Sequence, residues 1–218
     1  AQDLSVPQLR FLSALAGHAP NGLFFAGDLG QRIFQQPFSW KSLGVDVRGR
    51  SRTLHINYRT SHQIRVQADR LLGPEVSDVD GNTEDRRGTV SVFNGPSPLV
   101  RLFEDDDQEV RAIADWLRAR AADGLPARDL AVFVRSDAQM GRVQAAAELA
   151  DMAHTVLDGR LAAITAMPGT APDALNICTM HLAKGLEFRA VAVMACDDEV
   201  LPLQERIESV ADKADLEE

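Results

Sequence analysis

The stretch "TMHLAKGLEF", Thr179 to Phe188, sets a threonine, a histidine, a lysine and a glutamate around one glycine. Thr179, His181 and Lys184 each carry a donor that suits a phosphate oxygen, and Glu187 can accept from a sugar hydroxyl. Gly185 lets the backbone approach a ligand closely. A buried strand has no use for such groups, yet the apolar run "AVAVMAC" follows almost at once. The combination fits a loop at the end of a strand, facing a phosphate. A metal site is not indicated, because His181 and Glu187 have no further ligand pair at the usual spacing. A serine hydrolase is not indicated either, because the chain has no G-x-S-x-G elbow.

Two further clusters share this character. In "INYRTSHQI", Tyr58 and Arg59 stand where a strand gives way to a helix. An aromatic ring stacks on a nucleobase and a guanidinium forks onto phosphate, while a helix N-terminus adds favourable potential for an anion. A tyrosine packed at a sheet edge beside a surface ion pair is the plainer reading. In "GDLGQRIF", Asp28 and Gln31 end an apolar run; the Gln31 carboxamide can orient water or bond a phosphate oxygen, or the stretch is simply a turn. The neighbouring "IFQQPFSW" offers Phe34, Phe38 and Trp40 beside Arg32 and Lys41. Aromatic platforms with interleaved cations suit single-stranded nucleic acid, and they equally make a small satellite core under a loop.

The elements that must position these residues alternate along the chain. "DLSVPQLRFLSALAG" spaces Leu4, Leu9, Leu12 and Leu15 for a helix started by Ser5 and Pro7 and stopped by Gly17. "GLFFAGD", "RTLHINY", "TVSVF", "PLVRLFE", "DLAVFVR", "AHTVLD", "ALNICTM" and "AVAVMAC" read as strands. "SHQIRVQADRLL", "DQEVRAIADWLRARAADG" and "AQMGRVQAAAELADM" read as helices, the first capped by Thr60 or Ser61. "GPEVSDVDGNTEDRRG" reads as a polar loop. Alternating strands and helices with continuous apolar strands predict an α/β fold with a mostly parallel sheet. Ligands of such sheets sit outside the carboxyl ends of the strands. Asp28, Tyr58, Arg59, Arg135 and the residues from His181 to Glu187 all fall there.

Composition sets the bounds. A chain of 218 residues with 45% hydrophobic content can bury a core without staples. Its 23 Lys+Arg against 32 Asp+Glu argue against a general nucleic-acid coat and leave room for a local basic groove. Cys178 and Cys196 lie in apolar runs and read as reduced core residues of a cytoplasmic protein. No apolar run is long enough for a bilayer, so no membrane partner is expected. The acidic tail "ESVADKADLEE" reads as a loosely held end.

Taken in order, "AQDLS", "GDLGQRIF", "LHINYRT", "LAVFVRSDAQ" and "ICTMHLAKGLEF" resemble successive motifs of the UvrD/Rep-like helicases of superfamily 1, from Ala1 to about Leu203. The resemblance implies a RecA-like three-layer α/β fold. It also implies a DNA-stimulated ATPase, moving 3′ to 5′ on single-stranded DNA, with ATP and Mg²⁺ clamped between two domains. By the same resemblance, Gln31 senses the γ-phosphate, Tyr58 stacks on adenine and Arg59 is an arginine finger. Gly185 and Glu187 lie by the nucleotide. Arg135, Thr179, His181 and Lys184 contact the DNA backbone, while Phe34 and Trp40 stack on bases.

The chain also departs from the family pattern. It has no G-x-x-x-x-G-K-[ST] phosphate loop. The Asp-Glu pair that would hold Mg²⁺ is expected before Ala1 and the last arginine motif after Glu218. Phe34 stands where members often carry Tyr, Trp40 is farther from it than the family's Trp, and Asp137 stands where Asn is common. The short segment from Gly159 to Ala174 leaves no room for the accessory insertion of larger relatives. The expectation is therefore a helicase piece that is not catalytic alone. Residues 1–50 would end the first RecA-like domain and 51–218 form most of the second, with 1–50 packed in a non-native way or mobile. The alternative is a helicase-like DNA- or protein-binding domain without ATPase activity.

Overall fold

The computed structural model describes residues 1–201 except 18, 20, 32–37, 46, 48, 72–74, 82, 159–171 and 199, and only the backbone of Leu29 and Glu84. Phe34, most of the short segment after Gly159 and the acidic tail lie outside the described residues. The chain forms two compact units, Ala1–Val100 and Arg101–Glu218.

The second unit is α/β. Its elements, numbered in chain order after those of the first unit, are α3 (Asp106–Ala122), β5 (Leu130–Val134), α4 (Met140–Leu149), β6 (His154–Val156), β7 (Leu175–Thr179) and β8 (Ala190–Val193). Asp105 starts α3 by accepting from the Gln108 backbone at 2.7 Å, and Asp106, Asp107 and Glu109 place negative charge at the positive end of the helix dipole. Gly124, at φ 82°, ends the helix in the left-handed region that only glycine enters without strain. The four strands form one parallel sheet in the order β6-β7-β5-β8, with Val132 opposite Ile177 and Ala192. Strand residues therefore split by parity. Leu130, Val132, Leu175 and Ile177 face α3 and α4 and pack with Ala114, Leu117, Val143 and Met194, all buried. Burying each large side chain of this set stabilises the fold by about 1.5–3 kcal/mol.

The opposite face carries Ala131, Phe133, Asn176, Cys178, Val191 and Val193. The connection from β7 to β8 serves this face. Both strands run the same way, so the chain leaving β7 at its carboxyl end must travel back to the amino end of β8. It does so without a helix. Phe188 meets Phe133 edge-on at 5.9 Å, and Arg189 donates its backbone N–H to Asp129 just before β5. The "TMHLAKGLEF" loop is thus the crossover itself, laid along the sheet.

The first unit holds α1 (Val6–Ala16), β1 (Ile56–Asn57), α2 (His62–Asp69), β2 (Glu75–Ser77), β3 (Thr83–Asp85) and β4 (Val90–Ser91). α1 forms as its spacing predicts: Ser5 and Gln8 make a reciprocal capping box, Pro7 lies in the first turn and Gly17 closes the end. The strands differ from expectation. "GLFFAGD" joins no sheet and Phe24 is 93% exposed. "RTLHINY" and "TVSVF" contribute only the two-residue strands β1 and β4, which pair in parallel. "PLVRLFE" stays unpaired with Leu102 94% exposed. Apolar runs propose strands, but only a ladder partner makes one, and none of these runs has a local hairpin partner.

The predicted polar loop contains a hairpin instead, β2 antiparallel to β3. Gly81 supplies the positive φ of its turn, and Arg87 clasps Asp85 and Glu75 across the strands. Polar side chains hold this hairpin, so hydrophobic periodicity carried no sign of it. The hairpin also ties to residues before Arg50: Arg86 pairs with Asp28 at 3.2 Å, and Asp80 accepts from the Ser39 hydroxyl and the Lys41 backbone. Residues 51–100 accordingly share a compact unit with 1–50, whereas the reading from motifs divides the chain after Arg50.

Candidate nucleotide and nucleic-acid site

The candidate residues fall on both units. In the second unit the parallel sheet brings Arg135 and the start of the "TMHLAKGLEF" loop to one edge. Val134 pairs with Thr179, and Met180 donates to the Val134 carbonyl at 2.8 Å, so the tips of β5 and β7 are neighbours. The loop then folds as consecutive turns, with Leu182 and Ala183 donating to the Thr179 carbonyl and Leu186 to Ala183. His181 and Glu187 are exposed, and Lys184 is half-buried.

Thr179 is only 2% exposed, and its hydroxyl lies 3.4 Å from His181 Nε2. It is expected to touch DNA; its burial on the helix-facing side of β7 instead puts it behind His181. Gly185 has φ +87°, and among the described residues none but its chain neighbours comes within 4 Å of where a Cβ would sit. The backbone conformation calls for glycine there, and the space beside it is open.

Sequence reasoning missed a charged cluster on the same edge. Arg142 of α4 bonds Glu109 at 3.1 Å and Asp197 at 2.8 Å and pairs with Asp106. The other Glu109 oxygen accepts the Ala195 N–H at 2.8 Å, where Ala195 holds φ 56° just past β8. Hydrogen bonding to Asp106 heads the causes that raise the Arg142 pKa above its usual value. The available signal was Glu109 on the apolar stripe of α3, one turn before Ile113: a carboxylate on a buried face needs a cation. Cys178 is buried as expected, and burial pushes its thiol up to about 11; Cys196, also expected in the core, is exposed, and partial burial with Glu109 and Asp197 raises its thiol as well. Neither thiol has the electropositive setting of a nucleophile.

In the first unit, Tyr58 and Arg59 stand on the turn between β1 and α2, and Tyr58 is 70% exposed. Asn57 shapes that turn by accepting from the Arg59 and Thr60 N–H groups at 2.9 and 3.0 Å. Ser61 occupies the cap position of α2, yet its buried hydroxyl makes no capping bond and has no partner. Asp28 receives Gly30 N–H and the Gln31 side-chain amide at 2.9 Å each, as well as Arg86. A carboxylate cannot donate, so this contact directs the Gln31 nitrogen to Asp28. Arg86 in turn reaches Asp69 at 3.0 Å.

Trp40 is buried, tilted against Phe25 at 5.1 Å and edge-on to Phe38 at 5.2 Å. This is the satellite core of the two readings given above; the ring is spent on packing and is not presented to bases.

The groups present suit part of a nucleotide: an exposed aromatic face and a guanidinium for base and phosphate. They do not suit Mg²⁺, since no three His, Cys, Asp or Glu side chains among the described residues are grouped to hold a metal. No helix of the described residues is long and apolar enough to cross a membrane. Comparison of the chain with protein-family models, with curated proteins and with solved structures found no match.

Proposed function

We propose that this chain is part of an ATP-dependent 3′–5′ DNA helicase or translocase, RecA-like in its second unit, acting in the cytoplasm on single-stranded DNA. Tyr58 stacks on adenine, Arg59 offsets charge on the transferring phosphoryl group, and Gln31 senses the γ-phosphate. Gly185 and Glu187 border the nucleotide, while Arg135, His181 and Lys184 take the DNA backbone. Thr179 supports His181 from behind. ATP, when bound, supplies the energy of translocation. The phosphate loop and the Mg²⁺ ligands are not among these residues, so the chain by itself holds ATP only weakly and does not hydrolyse it. The observation that carries the reading is the ordered set of motifs, with Arg135 and His181 at neighbouring strand tips of a parallel sheet supporting it.

The test is fluorescence anisotropy of a labelled oligothymidylate titrated with the chain over a range of salt. Binding is expected to weaken in Arg135→Ala and in His181→Ala, and Arg135→Ala should lower the salt slope by about one, the signature of one lost phosphate contact. Added MgATP should shift the DNA affinity. Affinity unchanged in both variants would remove the DNA assignment. DNA binding that ignores ATP would point to the helicase-like binding domain without ATPase activity.

A further inference from the structure

We propose that Asn57 is the positioning residue that sets how Tyr58 and Arg59 are presented; this rests on the nucleotide reading above. One side-chain oxygen, Asn57 Oδ1, accepts from two consecutive backbone N–H groups, Arg59 at 2.9 Å and Thr60 at 3.0 Å. The backbone of the same residue is fixed in β1, where Asn57 pairs with Ser91 and its carbonyl accepts from Val92 at 3.0 Å. The far end of the turn is held separately. His62 donates to the Phe93 carbonyl at 3.1 Å, Gly95 donates to the Gln63 side chain at 2.8 Å, and Arg65 bonds the Ser91 hydroxyl at 3.1 Å. Gly95 sits so close to buried Ser61 that a Cβ there would lie 3.0 Å from its side chain.

Both ends of the turn are therefore clasped by the chain from Ser91 to Gly95, and the middle depends on Asn57. Ser61, the residue placed to cap α2, does not do so. With two N–H groups turned inward to Asn57, the side chains of Tyr58 and Arg59 are thrown outward together, both exposed. A nucleotide bound in one conformation holds its base and its phosphate at one separation, so a ring and a guanidinium on adjacent residues serve both only if the intervening backbone holds one shape.

Tyr58 is the only tyrosine in the chain, which gives a direct probe. The protein is labelled with fluorotyrosine, its single ¹⁹F resonance is titrated with MgATP, and amide exchange is followed in parallel. Asn57→Ala is expected to speed exchange of the Arg59 and Thr60 amides and to weaken MgATP about tenfold, one phosphate or base contact's worth. Asn57→Asp, which keeps the acceptor, is expected to preserve slow exchange and to stay within about threefold of the unaltered chain. Asn57→Ala binding MgATP as the unaltered chain does, with its turn amides exchanging faster, overturns the proposal. If Asn57→Ala loses protection throughout α2, Asn57→Thr, whose hydroxyl accepts one N–H in place of two, is measured instead. Affinity equal to the unaltered chain overturns the proposal there as well. A resonance that ignores MgATP in the unaltered chain refutes the nucleotide reading, and the role of Asn57 falls with it.

Discussion

In the unit from Arg101 onward, Leu117, Leu130, Ile177 and Met194 are sealed between a parallel sheet and two helices. In the unit ending at Val100, Leu9 and Trp40 are the buried apolar residues among those described, while Phe24, Leu54 and Val100 are exposed. Both units carry residues that must point accurately, and they secure them by different means. The second holds Arg135 and His181 through the register of packed strands. The first holds Tyr58, Arg59 and Gln31 through single polar side chains, Asn57 and Asp28, and joins its pieces through Asp80 and Arg86. Apolar packing responds to lost volume; polar clasps respond to lost charge.

The sharpest way to break this contrast is to delete volume in each unit. Leu117→Ala should lower the stability of the second unit by about 2–5 kcal/mol, because sheet and helices cannot close over the cavity. Urea unfolding read from Trp116, which packs against that core, in a Trp40→Phe background measures it. Leu9→Ala, read from Trp40 in a Trp116→Phe background, should cost less, since a thinly packed site collapses more readily. Equal losses would show that the first unit is as well packed as the second.

A smaller effect tests whether the second unit also relies on charge. Arg142→Ala strands the Glu109 carboxylate, which is 14% exposed, and should cost about 1–3 kcal/mol. The Ala195 amide, held by Glu109, should exchange faster in this variant. Unchanged exchange would mean that the chain after β8 is fixed by the sheet alone.

The smallest effect is one of pH. The Ser39 hydroxyl and the Lys41 backbone hold the Asp80 carboxyl below its usual 3.8. A depressed folded pKa contributes stability above the unfolded value, and that contribution is lost as pH falls through the folded one. The link between the hairpin and Trp40 should therefore loosen below about pH 4, seen as a change in Trp40 fluorescence that Asp80→Asn removes. A Trp40 signal flat down to the acid unfolding of the whole chain would contradict it.

The sequence was most legible where apolar periodicity and turn punctuation agreed. Val110, Ala114 and Leu117 marked α3, Gly124 its end, and "DLAVFVR", "ALNICTM" and "AVAVMAC" the sheet of the second unit. It was least legible where structure depends on partners distant in sequence or on polar atoms. "GLFFAGD" and "PLVRLFE" are as apolar as true strands but find no ladder. The β2–β3 hairpin is charged and gave no periodic signal, and the Arg142 cluster showed only as Glu109 interrupting the apolar stripe of α3. Among site residues, His181 and Arg135 stand at strand tips as expected. The packing role of Trp40 and the burial of Thr179 could be told only from neighbours.

The helix-free return from β7 to β8 also makes a ruler of the loop. β5, which it must pass, has five residues and spans roughly 17 Å, and the stretch from Met180 to Arg189, drawn straight, would reach about twice that. The surplus is taken up in the turns that carry Lys184 and Gly185. Shortening this strap would first straighten those turns, and lengthening it would let them wander. Its length is thus tied to the strand beneath it.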